Sequence, residues 1–245
     1  MNFLSTAFNV VLYQPLLNIL VLLYLYLPGH DFGVAIIVLT VLTKLIFYPL
    51  GVKAIKSQRA LSTLQPKIKE IQEKYKDDKE QQTKEIMALY KTEKINPFSG
   101  CLPILIQLPV LIALYRVFWF GLKPEQMTLL YSFVPLPGTI NPSFLGIINL
   151  AEPNIILAIL AGVLQFIQIR KSMPTTKIKK DSGVSEHMQK QMQYFMPIFM
   201  IVILFRLPSA IGLYWVTTTI FTIVQQYVIL KHDTNTRINT NNTNS

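Results

Sequence analysis

FGVAIIVLTVLTKLIFYPL, residues 32–50, is the stretch on which the fold turns. Its nineteen residues are apolar enough to cross a bilayer, yet they include Lys44. A lysine at the centre of a membrane helix costs roughly 2.5–3.5 kcal/mol on insertion scales, so such a residue faces protein, water or a substrate rather than lipid. Thr40, Lys44 and Tyr48 follow one another at i, i+4 and i+8 and form one polar stripe on a helix, with Thr43 one position to the side. Two readings follow. Lys44 lines an internal cavity, or it snorkels to the near interface, since about 9 Å of helix rise separates it from Leu50. Pro49 loosens the helix near its end.

The rest of the chain agrees with a membrane setting. Of its 245 residues 51% are hydrophobic and only 15% charged, with a mean hydropathy of +0.38. A soluble domain carries roughly 25% charged residues. The net charge of +10 is concentrated: eleven of 23 basic residues lie in 53–94 and six more in 170–190. Both clusters separate hydrophobic segments, which is the pattern of cytoplasmic loops rather than of a nucleic-acid surface. The single cysteine, Cys101, excludes an internal disulfide and a multi-cysteine metal site. No HExxH, phosphate-binding loop or GxSxG occurs, and the three histidines are scattered. No metal, cofactor or enzymatic chemistry is expected. The N-terminal MNFLSTAFNV has no basic residue and so lacks the charged start of a secretory signal.

Working outward, 10–27 is apolar with Gln14, Pro15 and Asn18 in its first half, and it reads equally as an interfacial helix or as a further span. Residues 32–50, 101–121, 154–169, 193–207 and 210–230 are five expected spans. Between the first two, Leu61, Leu64, Ile68, Ile71 and Tyr75 are spaced 3, 4, 3, 4, the seam of a coiled coil. Lys76-Asp77-Asp78-Lys79 is the expected turn, and Ile86, Leu89 and Tyr90 the apolar side of a returning helix. Residues 53–95 thus form an antiparallel helical hairpin, either a solvated loop or a docking arm for anionic headgroups or a ribosome. Residues 171–191 form a second basic loop, and 232–245 a polar, disordered tail. Gln107, flanked by Pro103 and Pro109, is the one amide of the second span. Met196, Phe199 and Met200 belong to a methionine-rich face suited to varied partners or to ordinary helix packing. Arg116 is placed at the outer interface. The charge distribution puts the N-terminus outside and the C-terminus in the cytoplasm.

Several stretches resemble one family: TKLIFYPL, LQPKIKEIQEKYKDDKE, EIMALYK, NPFSGCLPILIQLPVLIALY, MPTT, YFMPIFM, LPSAIGLYW and TIVQQ. In this order and spacing they are similar to the YidC-type membrane protein insertases of the Oxa superfamily, from about Tyr13 to Leu230. The resemblance implies an all-α membrane protein in the bacterial cytoplasmic membrane. Its five transmembrane helices surround a hydrophilic groove, open to cytoplasm and lipid and closed outside. It implies a substrate groove at Lys44, Thr40, Gln107, Trp215 and Tyr214, and a slide for the client's apolar segment along Leu102, Ile106, Met196, Phe199 and Met200. Most members have arginine where this chain has Lys44, so the charge is kept and the bidentate fork is lost. The resemblance also lays residues 1–31 on the outer surface as an amphipathic helix. The partners implied are nascent membrane proteins, the ribosome and the lipid bilayer, with no specific nucleic-acid sequence and with the Sec translocon left open. The competing function is a small solute or ion transporter, suggested by the intramembrane lysine and the proline-interrupted second span.

Overall fold

A computed structural model describes residues 3–96, 102–121, 124–172 and 184–243. The described residues are mostly helical, as an all-α membrane protein requires. The elements are α1 (Phe3–Phe8), α2 (Gln14–Tyr26), α3 (Phe32–Ile46), α4 (Tyr48–Lys74), α5 (Lys79–Thr92), α6 (Leu102–Arg116), α7 (Ile155–Ser172), α8 (Val184–Leu204) and α9 (Ser209–Thr243). A small antiparallel pair, β1 (Ser143–Phe144) and β2 (Ile148–Asn149), lies between α6 and α7. The chain divides into two compact units. One comprises Met1–Phe47, Ile104–Leu164 and Ile198–Phe221; the other comprises Tyr48–Pro103, Gln165–Pro197 and Thr222–Ser245.

Three helical stretches are long and apolar enough to cross a membrane: Ser5–Tyr26, Ile155–Ser172 and Ser209–Lys231. A fourth is counted when Phe32–Ile46 and Tyr48–Lys74 are taken together as one bent span. The other two expected spans lie on α6, which continues through a π-turn at Val117–Gly121, and on the second half of α8. The first half of α8, VSEHMQKQMQ, is polar. A π-turn at Asn9–Tyr13 joins α1 to α2 without a break, so the helix there has the length to cross.

In the first unit the polar residues of this N-terminal helix have a clear purpose. Leu17, Leu20 and Val21 are fully buried on one side and pack into a core with Phe32, Ala35, Ile36 and Leu39 of α3. Within the same face, Asn18 is 1% exposed, and its amide does three things. Its Nδ2 donates to Gln14 O at 2.8 Å and to Leu129 O at 3.2 Å, while its Oδ1 accepts from Tyr131 N at 2.6 Å. Gln14 Nε2 also donates to Leu129 O, the Tyr13 hydroxyl donates to Gln126 Oε1, and Asn141 N donates to the Tyr24 hydroxyl. The helix thereby supplies partners to an irregular segment whose backbone would otherwise go unpaired. Asp31 continues the same logic: one carboxylate oxygen caps α3 at Val34 N, 2.8 Å, and the other accepts from Leu145 N, 2.5 Å. Phe144 then lies so close to α3 that a Cβ on Gly33 would meet its ring at 2.2 Å. Only glycine fits there.

The expected span at 32–50 ends early. Helix α3 stops at Ile46, and Phe47 takes a bridge conformation (φ −88°, ψ 8°). Pro49 explains the break: it has no N–H for the Leu45 carbonyl, and its ring would clash with that carbonyl in a continuing helix. The chain restarts as α4 with Pro49 in the first turn, where a proline is tolerated. The polar stripe therefore ends at Lys44, and Tyr48 belongs to the next helix.

In the second unit the hairpin follows the 3-4 spacing. Leu64 and Ile68 are buried in its seam, and Ile86, Leu89 and Tyr90 are half-buried. Burial raises the Tyr90 phenol above its ordinary pKa. Asp78 caps α5 through Gln81 N, and Gln82 Nε2 donates to Gln72 O at 3.0 Å, closing the turn. The exposed Lys67–Glu93 pair, 2.5 Å apart, joins the hairpin's open ends and is worth at most about 1 kcal/mol.

Replacing Asn18 by alanine removes the acceptor of Tyr131 N and a donor to Leu129 O in a buried place. The expected loss is about 1–3 kcal/mol of stability, read as a lowered unfolding midpoint of the protein in detergent.

Candidate functional site

Lys44 sits in the last turn of α3, two residues from its end rather than six. The remaining rise is about 3 Å. A helix C-terminus carries partial negative charge on its free carbonyls, which favours a cation there by about 0.3–1 kcal/mol, and up to about 2 when partly buried. Pro49, by ending α3 early, thus makes the charge less costly where it stands. The ammonium is half-buried and has no hydrogen bond or ion pair among the described residues. On the exposed side of the same turns stand Leu42, Leu45 and Ile46, a lipid-type surface.

The neighbouring hydroxyls are turned onto their own helix. Thr40 is 1% exposed, and its Oγ1 donates to Ile36 O at 2.6 Å. Thr43 Oγ1 donates to Leu39 O and Thr40 O at 2.7 and 2.8 Å. These threonines keep their acceptor lone pairs but have no proton left to offer. Lys44 is therefore the donor of this stripe.

The other expected groove residues come together across α6 and α9. The Gln107 side-chain Nε2 donates to the Tyr214 hydroxyl. Tyr214 is buried and Trp215, next along α9, is half-buried against the core. The pair ties the two helices, and Pro109, two residues after Gln107, is accommodated within α6. Along α8, Met196 and Phe199 are exposed while Met200 packs on the core, so the first two share an outward face. Leu102 and Ile106 lie on α6, outside the residues whose side chains are described. Groups of histidine, cysteine, aspartate and glutamate able to hold a metal are absent among the described residues.

One cluster went unread in the sequence. Arg116, expected at the interface, donates from Nη1 to Asn9 Oδ1 at 2.7 Å. Its guanidinium stands 4.6 Å from the Tyr13 ring centroid and 5.7 Å from that of Phe8. The π-turn of residues 9–13 is what presents Asn9 and Tyr13 to it. No local spacing announces a contact between residues more than a hundred positions apart.

Fold and site define a class: a multi-pass helical membrane protein with a half-buried lysine, unpaired among the described residues, on a largely apolar helix. The sequence model of the 60Kd inner membrane protein family matches residues 23–236, and the chain belongs to that family. A membrane protein insertase YidC of Fusobacterium nucleatum is 37% identical over 202 residues, which are 82% of this chain and 87% of that protein. Proteins of the same name from Geobacter metallireducens and Syntrophus aciditrophicus are 35% and 36% identical over 221 and 220 residues. Those matches cover 90% and 89% of this chain, but only 37% and 36% of the relatives. The chain thus spans most of one relative and about a third of the other two.

The Gln107–Tyr214 bond is testable by a double-mutant cycle. Tyr214→Phe leaves the half-buried Gln107 amide without its acceptor and is expected to cost about 0.5–1.5 kcal/mol of stability. Adding Gln107→Leu recovers part of that loss, so the two effects measured by detergent unfolding fall short of additivity.

Proposed function

We propose that this chain inserts nascent membrane proteins into the lipid bilayer, and that Lys44 receives the polar end of the incoming segment. The observation that carries the reading is the ammonium of Lys44, half-buried and unpaired among the described residues, in a chain whose relatives are named membrane protein insertases. No covalent chemistry is required. A short polar N-terminus or loop entering the membrane must leave bulk water, and a positive charge in a low-dielectric setting offsets part of that cost, most for an acidic flank. The apolar remainder of the client then partitions into lipid, driven by burial of its surface.

The finer architecture belongs to the same proposal. Five spans enclose a hydrophilic groove that is open to cytoplasm and lipid, with Thr40, Gln107, Tyr214 and Trp215 around Lys44. The tie between Gln107 of α6 and Tyr214 of α9 supports it, because it sets polar side chains facing each other between two apolar helices. The client's apolar segment leaves along Leu102, Ile106, Met196, Phe199 and Met200; the outward face of Met196 and Phe199 supports that path. The N-terminus lies outside and the C-terminus in the cytoplasm, as the basic loops indicate. The hairpin of residues 53–95 recruits the ribosome or client, assisted by the loop at 171–191. A Sec translocon can receive the client from the same exit.

Lysine in place of the arginine common in the family changes geometry, not sign. Long-range attraction persists without bidentate pairing.

The test is charge reversal in cells depleted of their own insertase, followed with a single-span reporter bearing an acidic N-terminal tail. Lys44→Glu is expected to reduce insertion roughly tenfold or more, since a change of only about 1.4 kcal/mol produces that factor. Lys44→Arg retains insertion. Undiminished insertion by Lys44→Glu at equal protein levels would remove Lys44 from the mechanism.

A further inference from the structure

A second cationic site lies wholly in the unit that contains the hairpin. A cavity of about 290 Å³ is walled by Arg59 and Ser62 of α4, Lys171 and Ser172 at the end of α7, and Gln226 of α9. Ile55 and Leu230 supply apolar surface beside them. The wall holds two basic residues and no acidic one. Two buried atoms in it lack hydrogen-bond partners: Arg59 Nη1 and Gln226 Oε1.

The orientation of Gln226 is fixed by its neighbours. Ser172 Oγ donates to Gln168 O at 3.0 Å, so its hydroxyl proton is committed, and it accepts from Gln226 Nε2 at 2.8 Å. Rotating the amide would set two acceptors against each other. Gln226 Oε1 therefore points away from Ser172 and needs a donor, while Arg59 Nη1 needs an acceptor. Ser62 cannot serve as that donor, because its hydroxyl already donates to Arg59 O at 2.8 Å. Buried polar atoms are rarely left unpaired, and a buried guanidinium nitrogen least of all. One small group with an anionic oxygen and an O–H donor satisfies both atoms at once.

Position supplies the source. The apolar runs of α7 and α9 give way to Arg170-Lys171 and to Lys231 beside the cavity wall, so the site stands at the level where lipid headgroups lie. We infer that this cavity binds the headgroup of an anionic phospholipid of the phosphatidylglycerol type. Its phosphodiester pairs with Arg59 and Lys171, its glycerol hydroxyl donates to Gln226 Oε1, and Ile55 and Leu230 meet the start of the acyl chains. Arginine at the inner wall suits a phosphate, to which it can present two N–H groups. A lipid held there would pin the base of α4, and with it the hairpin, to the membrane surface.

Native mass spectrometry of the full chain, stripped of lipid in detergent and titrated with phosphatidylglycerol or phosphatidylcholine, tests this. The wild type is expected to retain phosphatidylglycerol at a roughly tenfold lower concentration than phosphatidylcholine, which has the same phosphodiester but sets a quaternary ammonium beside two cations and offers no hydroxyl to Gln226. Arg59→Gln combined with Lys171→Gln abolishes the preference. So does Gln226→Glu, which is nearly isosteric and places a carboxylate in the cavity. Lys67→Gln with Lys84→Gln removes the same charge from the exposed hairpin and leaves the preference intact. Equal retention of both lipids, a preference that survives the cavity variants, or its equal loss in the hairpin variant would overturn the inference. Displacement of the lipid by an equal concentration of glycerol 3-phosphate would overturn the lipid assignment in favour of a free anion.

Discussion

A charged side chain on a membrane helix must be compensated, and at Lys44 the compensation is local. Helix α3 presents valine, isoleucine and leucine over most of its surface and ends two residues after the lysine. That ending is imposed by Pro49, which cannot donate to Leu45 O. The lysine thereby stands in the last turn, where the helix dipole favours a cation. The nearby threonines use their protons on backbone carbonyls of the same helix, which leaves their oxygens as acceptors near the charge. What the fold does not provide, among the described residues, is a carboxylate partner. A cation that is tolerated but not neutralised is suited to attract a transient anionic or polar guest.

The same accounting of polar groups explains why the N-terminal helix carries Gln14 and Asn18. An irregular segment at 124–154 would leave backbone groups unpaired, and in or near lipid each such group is costly. Tyr13, Gln14, Asn18 and Tyr24 recur along one side of the helix and take up those groups in turn. Asp31 fastens the β1–β2 turn to the start of α3, where Gly33 allows the close approach. The N-terminal end of α3 is thereby tied to the rest of its unit, while its C-terminal end is interrupted by Pro49. Arg116 adds a further tie by resting against Phe8 and Tyr13.

Much of this was legible in the sequence, and for physical reasons. The all-α membrane class follows from composition, and the hairpin from the 3-4 spacing of Leu61 to Tyr75, with its turn at the expected Lys76–Lys79. Membership of the family was readable because long motifs occur in order. Helix lengths were harder. A run of apolar letters shows where lipid is tolerated, not where hydrogen bonding stops, so 32–50 looked like one span although the helix breaks at Phe47. The partners of Gln14 and Asn18, the carbonyl of Leu129 and the amide of Tyr131, lie more than a hundred positions away and cannot be read from their own segment. The pairing of Gln107 with Tyr214, and the meeting of Arg59 with Gln226, are products of tertiary packing. No periodicity in a single segment encodes them.

The central claim is that Lys44 faces the incoming chain. A photoactivatable amino acid placed at position 44, and separately at the exposed position 42 on the same turns, addresses it with a ribosome-stalled single-span client. The account predicts crosslinks from position 44 to the client's polar flank and, from position 42, to lipid. Equal yields from both positions, or lipid alone from position 44, would contradict it.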